Sequence, residues 1–172
     1  MNKNYLASLI CICVQFFLHG VAMAQGSESK IENWALYSQS MSVFPEKQIE
    51  EAAHTEKYYV SDSQSGLKTY HYEWPDLKVI VNIMPKPKIE KHIQGFLGYI
   101  DHLSSLSSIK PNNSIIKRVS GTSMVVAVII EPGGDMTGRS QNIVGAIAHF
   151  TKAIMFTSGV LFDENGEELI GP

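Results

Sequence analysis

The stretch Gly133-Gly134-Asp135-Met136-Thr137-Gly138-Arg139-Ser140 has the residue types and spacing of an anion cradle. As a pattern it reads G-x-x-x-x-G-R-S, one substitution from the phosphate-binding loop G-x-x-x-x-G-K-[ST], and it follows an apolar strand-like run and precedes a helical one. Glycines let successive backbone N–H groups turn toward a ligand, and a helix N-terminus adds positive potential. Gly133, Gly134, Gly138, Arg139 and Ser140 are therefore the candidate anion-binding residues, with Arg139 as the counter-charge. A nucleoside triphosphate is a poor fit, because the planar guanidinium of Arg139 does not replace the compact ammonium of the usual lysine. Nor does a second apolar strand end in a magnesium-binding aspartate. A tight strand-to-helix connection needs the same glycines for its backbone geometry without any ligand.

Other constellations are thinner. Outside the first 24 residues the histidines are His54, His71, His92, His102 and His149, and no two are spaced three or four apart on a helix to face one metal. His92 and His102 would lie about 80° apart around one helix and do not converge. His71 and Glu73 share a strand face, but zinc needs further ligands that the sequence does not supply. His149 sits in an apolar helix beside Phe150 and reads as a core or edge histidine. No serine stands in a G-x-S-x-G elbow, and Ser120-Gly121-Thr122-Ser123 reads as a loop. Asp163, Asn165 and Glu167 alternate like calcium ligands, yet the loop lacks the length and the closing bidentate glutamate. No metal site, no cofactor and no catalytic residue is implied.

The elements that must position these residues follow from pattern. Trp34 to Tyr37 reads as a strand, and Pro45 opens a helix through about Thr55 with a thin apolar face of Ile49, Ala52 and Ala53. Three β-rich runs, Lys57–Ser61, Leu67–Trp74 and Leu77–Ile83, are separated by turn compositions at 62–66 and 75–76 and predict an antiparallel meander. Pairing Trp74 with Leu77 sets Tyr72 opposite Val79 and Tyr70 opposite Val81 on one face, and Glu73 opposite Lys78 on the other. Of the aromatic residues Tyr58, Tyr59, Tyr70, Tyr72 and Trp74, half then point into the core, and the rest are free to form a partner surface.

Ile89, Ile93, Phe96, Ile100 and Leu103 predict an amphipathic helix over 88–103, in which Gly95 and Gly98 permit close approach of another backbone. After a polar loop over 104–114, Ile115–Val119 reads as a short strand or a helical turn. Met124–Ile130 reads as a strand buried on both faces, and Ser140 as the cap of a buried helix from Gln141 to about Ile154. Phe156–Phe162 reads as one strand, turned by Asn165-Gly166 into a final strand at Glu168–Ile170. The implied fold is α+β in a single domain: an antiparallel meander covered by helices plus a C-terminal β-α-β-hairpin unit. Whether Met124–Ile130 joins the meander's sheet is left open.

The N-terminus sets the compartment. Lys3, an apolar run from Leu6 to Leu18 and the small-x-small Ala22-Met23-Ala24 have the order of a secretory signal peptide over 1–24, cleaved after Ala24. Gln15 and His19 interrupt the span against an uncleaved anchor. Cys11 and Cys13, the only cysteines, leave with the signal, so disulfides and thiolate chemistry are excluded from the processed chain. Residues 25–33 read as a flexible tether, and 34–172 as the globular domain. The signal holds one lysine and no acid, so its removal takes the net charge from −3 to −4, the wrong sign for a phosphate backbone. The expectation is a periplasmic or secreted, non-catalytic accessory or binding protein whose partner is a protein or small ligand of a bacterial-type envelope. It involves no nucleic acid and keeps no stable membrane anchor. The alternative is a small secreted hydrolase or anion-binding protein that uses the Gly133–Ser140 loop.

Overall fold

The computed structural model describes residues 31–39, 43–62, 68–106, 113–135 and 137–171. The expected signal peptide, most of the expected tether, the turn after Asp62, Leu67 and Met136 lie outside them. One eight-stranded sheet, antiparallel at every junction, has the order β2-β3-β4-β5-β1-β6-β7-β8. Its strands are β1 (Glu32–Ser38), β2 (Lys57–Asp62), β3 (Lys68–Trp74), β4 (Leu77–Ile83), β5 (Met124–Glu131), β6 (Ile154–Thr157), β7 (Val160–Phe162) and β8 (Glu168–Ile170). The helices are α1 (Glu46–Ala53), α2 (Lys86–Leu106), α3 (Asn113–Ser120) and α4 (Arg139–Thr151).

The meander forms in the register that alternation requires: Trp74 faces Leu77, Tyr72 faces Val79, Tyr70 faces Val81 and Glu73 faces Lys78. Strand β5 joins the same sheet beside β4. Strand β1 is inserted between β5 and β6, so the first strand among the described residues lies at the middle of the sheet. It starts at Glu32, inside the expected tether, because Glu32 and Asn33 find backbone partners at Ile130 and Ile129.

Because side chains alternate across a strand, each strand serves two layers. On one face Leu36, Tyr70, Tyr72, Val79, Val81, Val126, Val128 and Met155 pack against Ile49 and Ala53 of α1 and Ile143, Val144, Ile147 and Ala148 of α4. On the other, Tyr37, Val125, Ile154, Leu161 and Ile170 pack against Ile89, Ile93, Phe96 and Ile100 of α2 and Ile115 and Val119 of α3. Tyr37 anchors this second layer: its ring stacks on Phe96 at 4.2 Å and 5°, and its hydroxyl lies 3.2 Å from His92 Nε2.

Several expectations change. Gly95 and Gly98 are not packed against another element, and an added Cβ at either would meet nothing, so they serve no close approach. Residues 104–106 continue α2 instead of forming a loop, α2 begins two residues earlier than expected, and 113–120 is helical. Helix α1 stops at Ala53, where His54 takes a left-handed conformation. The run Phe156–Phe162 is a hairpin, because Ser158 and Gly159 both adopt positive φ (49° and 87°), the geometry of a tight two-residue turn. Helix α4 buries one stripe and leaves Gln141, Asn142, His149 and Phe150 in solvent, because only one of its faces meets the sheet. Strand β5 is fully buried on the α1/α4 face, but Ala127 and Ile129 on the opposite face are only half-buried, because α2 and α3 do not reach them.

Two substitutions check this packing. Ile147→Ala, at a fully buried side chain, should cost about 2–5 kcal/mol. Tyr72→Phe should leave stability unchanged or raise it by about 1 kcal/mol, because the fully buried Tyr72 hydroxyl has no hydrogen-bond partner among the described residues. Urea unfolding midpoints read out both, and a loss above about 1 kcal/mol in Tyr72→Phe contradicts the second.

Candidate functional site

The loop from Glu131 to Arg139 joins β5 to α4 at the edge of the α1/α4 layer. Gly134 and Gly138 adopt φ of 78° and 77°, a region L side chains rarely enter, which is why these two positions are glycine. Three of the backbone donors along this segment, those of Gly134, Thr137 and Ser140, are met by the chain's own carboxylates. Asp135 Oδ2 accepts the backbone N–H of Ser140 at 2.9 Å, while Oδ1 accepts the N–H and the hydroxyl of Thr137 at 2.9 and 2.5 Å. Gly134 N–H donates to Glu32 Oε2 at 3.0 Å, and the other oxygen of Glu32 accepts Trp34 Nε1 at 2.7 Å.

Gly138, not Ser140, occupies the N-cap position, because its positive φ carries the chain into the first turn. Ser140 lies inside that turn, fully buried. Asp135 therefore does from five residues upstream of Ser140 what a capping side chain does at the N-cap itself: it satisfies an orphan N–H and sets a negative charge at the positive end of the helix.

Arg139 is likewise engaged. Its Nη2 donates to Asp76 Oδ2 at 2.7 Å, its Nε to Thr137 Oγ1 at 2.6 Å, and its guanidinium lies 5.4 Å from the Trp74 ring centre. The contact ties the β3–β4 turn to the start of α4. Partial burial pushes the Asp135 carboxyl up, but the hydrogen bonds from Ser140 and Thr137 together outweigh it and bring the group from its ordinary 3.8 down to about 2. Asp76 is held below its ordinary range by its hydrogen bond from Arg139. The five predicted anion-site residues thus share one junction, Gly133, Gly134 and Gly138 in the loop and Arg139 and Ser140 in the first turn of α4, and side chains that meet it from elsewhere are those of Glu32, Trp74 and Asp76.

The histidines are dispersed. His54 caps α1, His92 lies between α2 and Tyr37, and His149 is exposed with its ring edge-on to Phe150. Among the described residues no three His, Cys, Asp or Glu side chains gather for a metal. A shallow, open groove of about 630 Å³ between α2 and the α3–β5 turn is lined by Ile89, Ile93 and Leu97 opposite Ser120, Thr122 and Ser123.

His71 belongs to a surface that carries no sequence motif. On the face opposite α1 and α4, the described helices α2 and α3 reach Val125 at the start of β5 but share their core layer with no residue of β2, β3 or β4, and three rows of side chains cross β2–β5 there. The central row is Tyr59, His71, Ile80 and Ile129 in direct register. Tyr59 is 36% exposed, and its ring stacks on His71 at 4.3 Å and 7°. His71 Nε2 lies 3.0 Å from Ser61 Oγ, while Nδ1 is buried without a partner among the described residues. Burial, reinforced by Lys78, holds this imidazole below its ordinary pKa and therefore neutral at pH 7. A Ser–His contact without a carboxylate at Nδ1, set on the outermost strands, lacks the orienting group that nucleophilic catalysis uses.

Flanking that row, Lys57, Glu73, Lys78 and Glu131 alternate in sign across four strands. Glu73 accepts Lys57 Nζ at 2.9 Å and the Tyr59 hydroxyl at 2.9 Å, with Lys78 Nζ at 3.6 Å. These contacts, that with Lys57 first, bring its carboxyl down to about 2. The third row is Ser61, Thr69, Asn82 and Ala127, in which the Thr69 hydroxyl donates to Asn82 Oδ1 at 2.8 Å. The signal for this face is present in the sequence as the outward half of the meander's alternation.

Among the described residues, the class defined by this geometry is an α+β fold with a single antiparallel sheet, two helices on each face, and β2–β4 without a helix on one of them. No protein-family model, no curated protein and no solved structure matches the chain.

Removing the Asp135 carboxylate in Asp135→Ala should destabilise the fold by about 1–2 kcal/mol. Its folded-state value lies below its unfolded one, so the contribution is full above pH 3.8 and is lost as pH falls toward about 2. The acid limb of a stability–pH curve should flatten over that window in the variant. Arg139→Ala should cost less than Asp135→Ala, and equal losses would contradict the assignment of the cap to Asp135.

Proposed function

We propose that this chain is exported and acts as a non-catalytic binding protein through the uncovered β2–β5 face. The observation that carries the reading is the Tyr59–His71–Ile80–Ile129 row, exposed at Tyr59 and half-buried at the other three, beside the part of the same sheet that α2 and α3 cover. A soluble domain keeps aromatic and aliphatic side chains contiguous at the surface chiefly where a partner covers them. The Gly133–Ser140 loop, whose donors are engaged by Asp135, Glu32 and Asp76, serves on this reading as the junction that holds α4 to the β3–β4 turn. With export through the signal at 1–24, the partner lies in the envelope or outside the cell.

Two measurements test this. The N-terminus of protein recovered from its native compartment should be Gln25, and an intact Met1 on cytosolic protein would remove the export reading. In affinity capture from envelope fractions, Ile80→Glu should abolish enrichment of the partner while Arg139→Ala should preserve it. The reverse pattern would move the binding site to the glycine-rich loop.

A further inference from the structure

The uncovered face has a symmetry of its own. Across β2, β3, β4 and β5 the charged row runs Lys57, Glu73, Lys78, Glu131: plus, minus, plus, minus. An alternating row with an even number of members changes sign at every position when its order is reversed. Reversal is what a two-fold axis parallel to the strands, passing between β3 and β4, does to a sheet face laid against its own copy. Each charge then meets its opposite: Lys57 meets Glu131 of the partner subunit, and Glu73 meets Lys78 of the partner subunit.

The other two rows tolerate the same operation. In the central row the Tyr59 ring falls over Ile129 of the partner subunit, and His71 falls over Ile80 of the partner subunit, so aromatic rings pack on aliphatic side chains. In the third row Asn82 is buried in its own chain, where it accepts the Thr69 hydroxyl, so this row places no charge against the partner and leaves only Ser61 exposed at its end. No like charges oppose each other among these described rows, which is the self-complementarity an isologous interface demands.

Resting on the binding reading above, we propose that the occupant of the β2–β5 face is a second copy of this chain, packed sheet to sheet about that axis. Aligned sheets pack about 10 Å apart, close to the distance at which a helix layer rides on a sheet. Helices α2 and α3 draw on β1 and β5–β8 and leave β2, β3 and β4 free, so the copy settles beside them and not over them. The apolar row is central and the charged row lies near the β3–β4 turn, giving the buried centre and polar rim of ordinary interfaces. Four strands by three rows measure about 19 by 20 Å, so the two copies bury roughly 760 Å² in all, the size of weak, transient contacts, and the dimer should form only at about 0.1 mM and above.

Charge exchange tests this in a way that a folding defect cannot imitate. In Glu73→Lys the introduced ammonium confronts Lys78 of the partner subunit, and in Lys78→Glu the introduced carboxylate confronts Glu73 of the partner subunit. Each variant alone should raise the dimer Kd at least about tenfold in sedimentation equilibrium, with circular dichroism showing a folded chain. Mixed in equal amounts the two variants should re-associate. At these two positions one chain then presents a pair of ammonium groups and the other a pair of carboxylates, so every charge meets its opposite again. Ile129→Lys, in the central row, should give a monomer that neither variant rescues. A wild-type chain that stays monomeric to about 1 mM, single variants that remain dimeric, or a mixture that fails to associate would overturn the dimer. If the wild type is monomeric while Ile80→Glu still abolishes capture of a foreign protein, the dimer is overturned and the binding face stands with a different occupant.

Discussion

Everything in this molecule depends on the pairing of β1 with strands that lie far from it in the chain. Residues 32–38 form backbone ladders with β5 on one side and β6 on the other, so Ala35 faces both Ala127 and Phe156. Without β1 the sheet falls into two pieces, β2–β5 and β6–β8, each with an edge where the join had been. The strand also feeds both layers, because Leu36 enters the α1/α4 core and Tyr37 the α2/α3 core. Joining residues so far apart in sequence carries a loop-closure cost, and that cost is offset only when both ladders and both layers form together. The fold is therefore cooperative through its centre, and local propensity alone does not produce it.

A second constraint is electrostatic. A strand-to-helix connection leaves several N–H groups outside any ladder, and this chain satisfies three of them, at Gly134, Thr137 and Ser140, with its own acids. Asp135 caps α4, and Glu32, at the start of β1, takes Gly134 N–H. The same glutamate thus belongs to the central strand and to the loop, so closing the sheet and ordering the loop are one event. Arg139, with Asp76, couples that loop to the β3–β4 turn across 63 positions of the chain. The charges that sequence patterning offers as a ligand site are committed to joining elements.

Local pattern decides what is legible in the sequence. The meander's register can be read because period-two alternation and the Glu73–Lys78 pair agree on one answer. Helix α2 is legible from Ile89, Ile93, Phe96 and Ile100, and the final turn from Asn165-Gly166. The turn inside 154–162 carries a signal in Ser158-Gly159, but the apolar residues on both sides of that dipeptide read as one continuous strand and hide it. Sequence alone points to Ser140 as the cap of α4, since a serine before an apolar run is the common signature. A carboxylate reaching forward from Asp135 leaves no mark at the N-cap position. The central place of β1 is out of reach, since nothing near Trp34 specifies which distant strands it joins. The glycine-rich loop stands out by its resemblance to a phosphate cradle, while the Tyr59–His71–Ile80–Ile129 row carries no motif at all.

Why half of one face stays open follows from size. Eight strands at about 4.8 Å spacing span roughly 34 Å, and a helix packed on a sheet covers a strip about 10 Å wide. Two helices per face are therefore too few to roof the whole sheet. On the α1/α4 face the deficit is filled by bulk: Tyr58, Tyr70, Tyr72, Trp74 and Phe44 extend the layer over β2 and β3. On the other face the corresponding positions are Lys57, Glu73, Lys78, Ser61 and Thr69, which tolerate water, around a narrower apolar row. The alternation of charge lets that row survive uncovered in one chain, because each acid in it has a base beside it. The same alternation suits the face to being closed by its own copy, so solubility alone and assembly in pairs draw on one set of side chains.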